Sequence, residues 1–249
     1  MRNFVLSLVA FLSLSASANT YALYNFSNAE LVIASGKDEI VPIASITKLF
    51  TAITVMQEGL DLTEKVKVQG KNSGRFPTGT MVTRMELMKA MLIASDNRAA
   101  DSLAYSHPGG YDAFISRANE HIGFLGLKNT KIEDASGLSP GNTSTASDLT
   151  NFVWSLRNNK VITSIASSVN ESVEFDNLRK KSVKLNIRNT NPDITKYNIL
   201  ISKTGYTNKA GRCLLLLVEH QNEYYGLAVL GEKNPRARAA TVNSLINNN

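Results

Sequence analysis

The chain has a single cysteine, Cys213, so no disulfide can close within it and the fold must rest on its apolar core. Cys213 stands in an apolar strand pattern, which makes it packing rather than chemistry. Histidine is scarce as well: His107, His121 and His220 are too scattered for a local metal motif, such as two histidines one helical turn apart. They receive no role, and neither a metal nor a cofactor is expected. After the first residues no stretch reaches the roughly 20 apolar residues that a bilayer span requires. Acidic residues are outnumbered, 21 against 27 basic ones, giving a formal charge of +6. That excess favours an anionic partner, yet no recognition motif for nucleic acid accompanies it. Internal repeats and low-complexity segments are absent.

What is present fits a globular protein: 249 residues, 43% hydrophobic and 19% charged, enough for one domain with at most a subdomain. The start reads differently. Arg2 precedes the apolar run from Phe4 to Leu14, and Ala16-Ser17-Ala18 supplies the small residues of a cleavage site. Residues 1–18 are therefore expected to be an export signal, and residues 19–249 a single released domain. A second possible cut follows Ala22, but it would consume the start of a strand. The remainder is still basic, and for an exported protein the anionic surfaces at hand are the cell wall and lipid headgroups.

Hydrophobic periodicity then lays out the order of elements. Runs at 20–26 and 30–34 form a hairpin, and a nearly all-apolar helix begins beyond Pro42 and stops near Gly59. A strand at 62–68 precedes a polar loop to Gly79. Thr83 caps a helix, with Glu86 placed as in a capping box and Leu87, Met88, Met91 and Leu92 as its apolar stripe. Further helices follow at 98–105, 111–122 and 147–157, the last continuing through 161–166. Strands at 172–175, 182–187, 199–203, 213–218 and 224–230 come next, and a helix over 236–246 closes the chain. Strands, then helices, then strands suggest one sheet built from both ends of the chain, with a helical insertion. Lys180, Lys181, Lys184 and Arg188 read as a solvated strand face.

One helix carries reactive groups. Ser45 and Lys48 are three residues apart in the apolar run, so the hydroxyl and the amine share a face. An amine in a dry helix tends to its neutral form and can act as a base, and a serine beside a base is a nucleophile candidate. Ser-x-x-Lys alone is common, with roughly one chance match in a chain of this size. Two more elements give it weight: Ser95-Asp96-Asn97 between two helices, and Lys203-Thr204-Gly205 at the end of an apolar strand, where glycine lets a substrate backbone approach. All three stand in the order of serine acyl transferases with a lysine base.

These motifs, together with His107-Pro108-Gly109-Gly110-Tyr111, Ser136-Gly137-Leu138, Arg188-Asn189-Thr190-Asn191 and the run from Lys203 to Gly211, resemble the low-molecular-mass penicillin-binding proteins, in particular the D-alanyl-D-alanine endopeptidase type. The resemblance covers nearly the whole mature chain. It implies an α/β (α+β) fold of the β-lactamase/D,D-peptidase kind, an antiparallel sheet flanked by helices with an inserted helical subdomain. It also implies Ser45 as nucleophile, Lys48 as its base, Ser95 as proton relay, Asn97, Lys203, Thr204 and Gly205 as substrate-binding residues, and the backbone N–H groups of Ser45 and Tyr206 as the oxyanion hole. Peptidoglycan peptides would be the substrate and β-lactams covalent inhibitors, in a periplasmic enzyme with at most peripheral membrane contact. No segment after the last helix resembles the added β domain and amphipathic anchor of the related carboxypeptidases. Three alternatives stay open: a D-alanyl-D-alanine carboxypeptidase, a serine β-lactamase, and a non-catalytic wall-binding protein. Against the β-lactamase stands the loop Glu133 to Leu138, which lacks the glutamate and asparagine placement of class A enzymes.

Overall fold

A computed structural model describes residues 20–247; the expected export signal lies outside the described residues. The main sheet has five strands in the order β2-β1-β11-β10-β9: β1 (Thr20–Asn25), β2 (Glu30–Ser35), β9 (Asn198–Thr207), β10 (Gly211–His220) and β11 (Glu223–Glu232). Every pairing is antiparallel, and β1 runs beside β11 from Thr20 opposite Leu230 to Asn25 opposite Tyr225. Both ends of the chain thus build one sheet, as the order of elements suggests.

The unbroken apolar runs of the last strands follow from burial on both faces. Cys213, Leu215 and Leu217 point into the large core with the helices, whereas Leu214, Leu216 and Val218 meet Val242, Leu245 and Ile246 of the closing helix α7 (Pro235–Asn247). Cys213 is fully buried and burial pushes its thiol up to about 11, so it is inert packing.

A 3-10 turn (Ala44–Ile46), packed against β9 and β10, leads into α1 (Thr47–Gln57), which packs against the other helices in the large core. Phe50 stacks on Phe152 with centroids 3.7 Å apart. Among so many apolar neighbours the α1 threonines find carbonyls instead: Thr51 donates to Ala135 O at 2.7 Å and Thr54 to Phe50 O at 2.9 Å. The helix ends where expected, on Gly59 at φ +64°, with Leu60 N–H reaching back to Val55 O.

The helical lobe consists of α2 (Arg84–Ile93), α3 (Asn97–Tyr105), α4 (Gly110–Phe124), α5 (Ala146–Ser155) and α6 (Lys160–Ser167). Thr83 does cap α2, accepting from Glu86 N–H at 3.2 Å. The capping box is only half made, because the Glu86 carboxylate turns to Glu174 N–H and Lys89. Two short strands, β3 (Val41–Pro42) and β6 (Thr143–Ser144), pair just before the 3-10 turn.

The strands expected to share a single sheet divide between two, apart from the β3–β6 pair. The strand expected at 62–68 forms only over β4 (Lys65–Lys67), which pairs with β5 (Met81–Thr83), and β7 (Asn170–Asp176) and β8 (Ser182–Arg188) complete a separate sheet in the order β4-β5-β7-β8. Val173 and Phe175 draw β7 away from the main sheet by burying among the helices, with the Phe175 ring edge-on to Phe76 at 5.1 Å. Among the described residues no helix is long and apolar enough to cross a membrane.

Candidate active site

The cleft between the two lobes holds about 670 Å³ and is lined by Ser45, Ser95, Asn97, Thr204, Gly205 and Tyr206, with further residues from the β8–β9 connection and α7. Its geometry starts at two residues in the left-handed region, Ala44 at φ +47° and Ser95 at φ +56°. Non-glycine residues hold such angles only when their surroundings over-determine them, and these two precede or form parts of the site. Around Ser95 the support is visible. Asp96 N–H donates to Ala90 O at 3.1 Å, while its carboxylate caps α3 through Ala99 N–H at 2.9 Å and accepts from Arg75 N–H at 2.6 Å.

Lys48 is completely buried and touches three oxygens: Ser45 Oγ at 2.8 Å, Asn97 Oδ1 at 2.8 Å, and the carbonyl of Ser136. Burial pushes its amine down to about 7, against the opposing pull of Asp134, Asp101 and Asp96. A neutral amine has two N–H bonds and one lone pair. The amide oxygen and the carbonyl can only accept, so they consume both N–H bonds and leave the lone pair to face the Ser45 hydroxyl. The arrangement suits proton removal from Ser45.

Ser136 reaches Lys48 because the loop after α4 is bound tightly to one carboxylate. Asp134 accepts from the backbone N–H groups of Ser136 at 2.8 Å, Gly137, Leu138 and Ser139, and from the Asn142 amide at 3.1 Å. Burial alone would raise this carboxyl, but the convergent donors outweigh it and hold it below the usual carboxylate range. Tyr111 OH accepts from Ala135 N–H at 3.0 Å, which gives a place to the His-Pro-Gly-Gly-Tyr segment. Gly137, at φ +84°, lies so close to the 3-10 turn that an added methyl would be 2.1 Å from Ala44 O.

On the opposite wall, β9 brings Lys203, Thr204 and Gly205 alongside Ser45. Lys203 Nζ donates to Ser95 Oγ at 2.9 Å and to Thr204 O at 3.0 Å. A methyl on Gly205 would come within 3.0 Å of Ser45 N, so glycine lets the strand close on the nucleophile. Thr204 Oγ1 shares a hydrogen with Thr190 Oγ1 at 2.6 Å, and Thr190 N–H is tied to Ile93 O at 3.1 Å. Burial, then the charges of Lys48 and Arg238, push the Lys203 amine well below its ordinary value. Guanidiniums, which stay charged in proteins, add positive potential to the same cleft. Arg188, Arg212 and Arg238 line it, with Arg212 stacked over the Tyr206 ring at 3.8 Å.

All eight residues singled out from the sequence, Ser45, Lys48, Ser95, Asn97, Lys203, Thr204, Gly205 and Tyr206, meet in or against this one cleft. Arg188 is exposed, as the expected solvated face requires, and at the end of β8 it also borders the cleft; Lys184 stays outside, 3.4 Å from Glu174. Asp134, Arg212 and Arg238 escaped the sequence reading. Asp134 had a local sign in the Asp-x-x-Gly spacing that lets one carboxylate collect successive N–H groups, whereas Arg212 and Arg238 carry none. Glu133 is engaged with Lys131 and Ser139, both at 2.9 Å, away from Ser45.

A serine and a dry lysine in a cleft between an antiparallel sheet and a helical lobe define a serine hydrolase with the D,D-peptidase fold. Residues 10–234 match the peptidase S11 family, D-alanyl-D-alanine carboxypeptidase, and the chain belongs to that family. It is similar to the D-alanyl-D-alanine endopeptidase of Pseudomonas aeruginosa, 35% identical over 260 residues that span 92% of this chain and 83% of that one. With the D-alanyl-D-alanine endopeptidase of Escherichia coli it shares 36% identity over 213 residues, 82% of this chain and 68% of the other. The fold is that of the Streptomyces K15 DD-transpeptidase, with a TM-score of 0.85 at 23% identity over 91% of this chain and 94% of that one.

Proposed function

We propose that the chain is a penicillin-sensitive serine D,D-peptidase of the cell wall, a D-alanyl-D-alanine endopeptidase that cleaves the D-alanine to diaminopimelate cross-link. The observation that carries the mechanism is the three-way grip on Lys48, whose lone pair is left for Ser45. Ser45 Oγ attacks the D-alanine carbonyl and its proton passes to Lys48. The backbone N–H groups of Ser45 and Tyr206 receive the oxyanion. Ser95, which accepts from Lys203, relays a proton to the leaving amine, its hydroxyl being restored by the proton that Lys48 took from Ser45; the C–N bond breaks to leave an acyl-enzyme, and water then hydrolyses it and frees Ser45. Asn97 gives its oxygen to Lys48 and keeps its N–H bonds for the substrate amide. Thr204 and the guanidiniums of Arg188, Arg212 and Arg238 suit a carboxylate next to the scissile bond.

The choice of endopeptidase over carboxypeptidase rests on the relatives from Pseudomonas and Escherichia, which carry that name. Engagement of Glu133 elsewhere speaks against fast deacylation and so against a β-lactamase. Residues 1–18 direct export to the periplasm in this reading. The test is incubation with cross-linked muropeptide dimers and with monomeric pentapeptides, followed by separation of the products. Dimer cleavage is expected, and fluorescent-penicillin labelling that disappears in Ser45→Ala. Loss of only the terminal D-alanine would refute the endopeptidase; absence of labelling in the native protein would sink the enzyme.

A further inference from the structure

Three guanidiniums line the cleft, those of Arg188 at the end of β8, Arg212 on β10 and Arg238 on α7. Among the described residues none of them stands in an ion pair. Each guanidinium carries five N–H donors, whereas one carboxylate accepts about four bonds. Of these donors the described residues engage Arg238 Nη1 alone, which reaches Cys213 O at 3.5 Å. The cleft therefore holds more donors and more charge than the one carboxylate beside the scissile bond can take.

Arg212 is the surplus group. Its Nε–H is buried with no acceptor among the described residues. A donor left so costs stability, which means that the fold itself does not call for a guanidinium here. Glu232, opposite Arg212 on β11, accepts from Thr241 Oγ1 at 2.6 Å instead. What holds Arg212 is the Tyr206 ring, with Cζ 3.8 Å from the centroid, and Tyr206 OH is itself tied to Asn208 Oδ1 at 2.9 Å. The β10–β11 register shifts between Arg212 and Leu214, and bulges of this kind re-aim a side chain next to a site.

The β9–β10 ladder gives Arg212 its place along the cleft. Leu214 pairs with Thr204, Cys213 with Gly205 and Arg212 with Tyr206, so Thr204, Tyr206 and Arg212 share one face of the sheet. Arg238, bonded to Cys213 O, stands level with Gly205 and beside Thr204, where the carboxylate next to the scissile bond is expected. The Arg212 guanidinium lies over Tyr206, two residues further along β9, roughly 7 Å beyond Thr204. Diaminopimelate is a diacid whose two carboxyl carbons stand roughly 7.5 Å apart when its chain is extended. One carboxylate is on the carbon that carries the scissile nitrogen. The distal one is free when the acceptor stem ends at diaminopimelate, and a leaving D-alanine has no such group.

We propose that Arg212, braced by Tyr206, is a specificity-determining residue that binds the distal carboxylate of the leaving diaminopimelate and so favours cross-links whose acceptor stem ends there. This rests on the endopeptidase reading of the cleft. The distal carboxylate takes no part in bond breaking, so its contact is made equally in the bound substrate and in the transition state and acts on KM.

The experiment compares two muropeptide dimers that differ only at that distal carboxyl, free in one and amidated in the other, with native protein, Arg212→Gln, Arg212→Lys and Arg188→Gln. Native protein should cleave the free dimer with kcat/KM roughly ten times that for the amidated one, through KM. In Arg212→Gln the preference should fall to about one. Arg212→Lys, which keeps the charge but loses the fork and the stacking, should restore only part of it. Arg188→Gln should change both dimers alike and keep the preference. Equal cleavage of the two dimers by native protein would overturn the inference even if Arg212→Gln does not fold. So would a preference that survives in Arg212→Gln, or one that Arg188→Gln removes as fully. A native protein that cleaves neither dimer fails at the endopeptidase reading itself, and the inference falls with it.

Discussion

Gly137 and Gly205 show how closely single residues confine Ser45. An added methyl at Gly205 would come to 3.0 Å from two backbone atoms, which a small shift relieves, but at Gly137 it would come to 2.1 Å from Ala44 O at φ +84°. Gly137→Ala must therefore move either the Asp134 loop or the 3-10 turn, and with it the Ser136 carbonyl that orients Lys48. We expect a loss of about 2–4 kcal/mol in stability and at least about tenfold in the acylation rate constant. Gly123→Ala is the control: nothing lies within 4 Å of its added methyl in α4, and helix propensity predicts a gain of about 0.5–1 kcal/mol. Equal effects of the two substitutions, read by urea titration and penicillin labelling, would refute the account. At this scale the sequence was legible wherever chemistry needs a particular residue type at a fixed spacing, as for Ser45 with Lys48. Ser136 was visible only as part of a motif, because its contribution is a carbonyl that any residue possesses. Arg212 and Arg238 reach the cleft through tertiary placement alone.

Among elements, α1 and α4 are joined by a polar clamp that no sequence motif marks. Glu58, just past α1, accepts from Arg117 Nε at 2.9 Å and faces His121 Nε2 at 3.0 Å and His107 Nε2 at 3.4 Å. The two histidines looked scattered because their meeting point is a carboxylate from a distant helix, and periodicity carries no information on such contacts. Burial would raise the Glu58 carboxyl, but Arg117 and the two histidines outweigh it and hold it below its ordinary value. A carboxyl with a lowered value in the fold contributes stability above its unfolded value of about 4.3, and that contribution is lost as pH falls through the lowered one. Glu58→Gln should then cost about 1–3 kcal/mol at pH 7 and progressively less as the pH is lowered below about 4.3, measured by urea unfolding at pH 7 and at a pH below that value. An equal penalty at the two pH values would mean that the charge is not what joins the helices. The elements themselves were largely readable, since α1, α2 and the last three strands follow from apolar period and from the Thr83 and Gly59 signals. Which sheet β7 and β8 would join was not, because alternation names a buried face without naming its partner.

For the molecule as a whole, the question is whether the sheet and the helical lobe unfold together. A cleft between lobes invites the idea of two units, but one continuous apolar cluster runs from Leu215, Leu217 and Ala228 of the main sheet through Leu49 and Phe50 of α1 to Leu87 and Met91 of α2 and Val173 of β7. Separating the lobes would uncover buried surface around α1, including the fully buried Lys48. The loss of apolar burial, at about 25 cal/mol per Å², would exceed what either half keeps by remaining folded. We therefore propose that residues 19–249 form one cooperative domain. Trp154, the single tryptophan, stands on α5 with its ring stacked on Phe26, just past β1, at 4.5 Å, so its fluorescence reports the seam between the helical lobe and the main sheet, while far-UV circular dichroism reports the helices as a whole. Thermal or urea transitions followed by Trp154 fluorescence and by circular dichroism should coincide, and acylation of Ser45 should move both to the same extent. A fluorescence transition separated from the helical one would show that the lobes are independent. In that case the Lys48 environment would depend on how two units dock rather than on one packed core, and its lowered proton affinity would be lost as soon as they part.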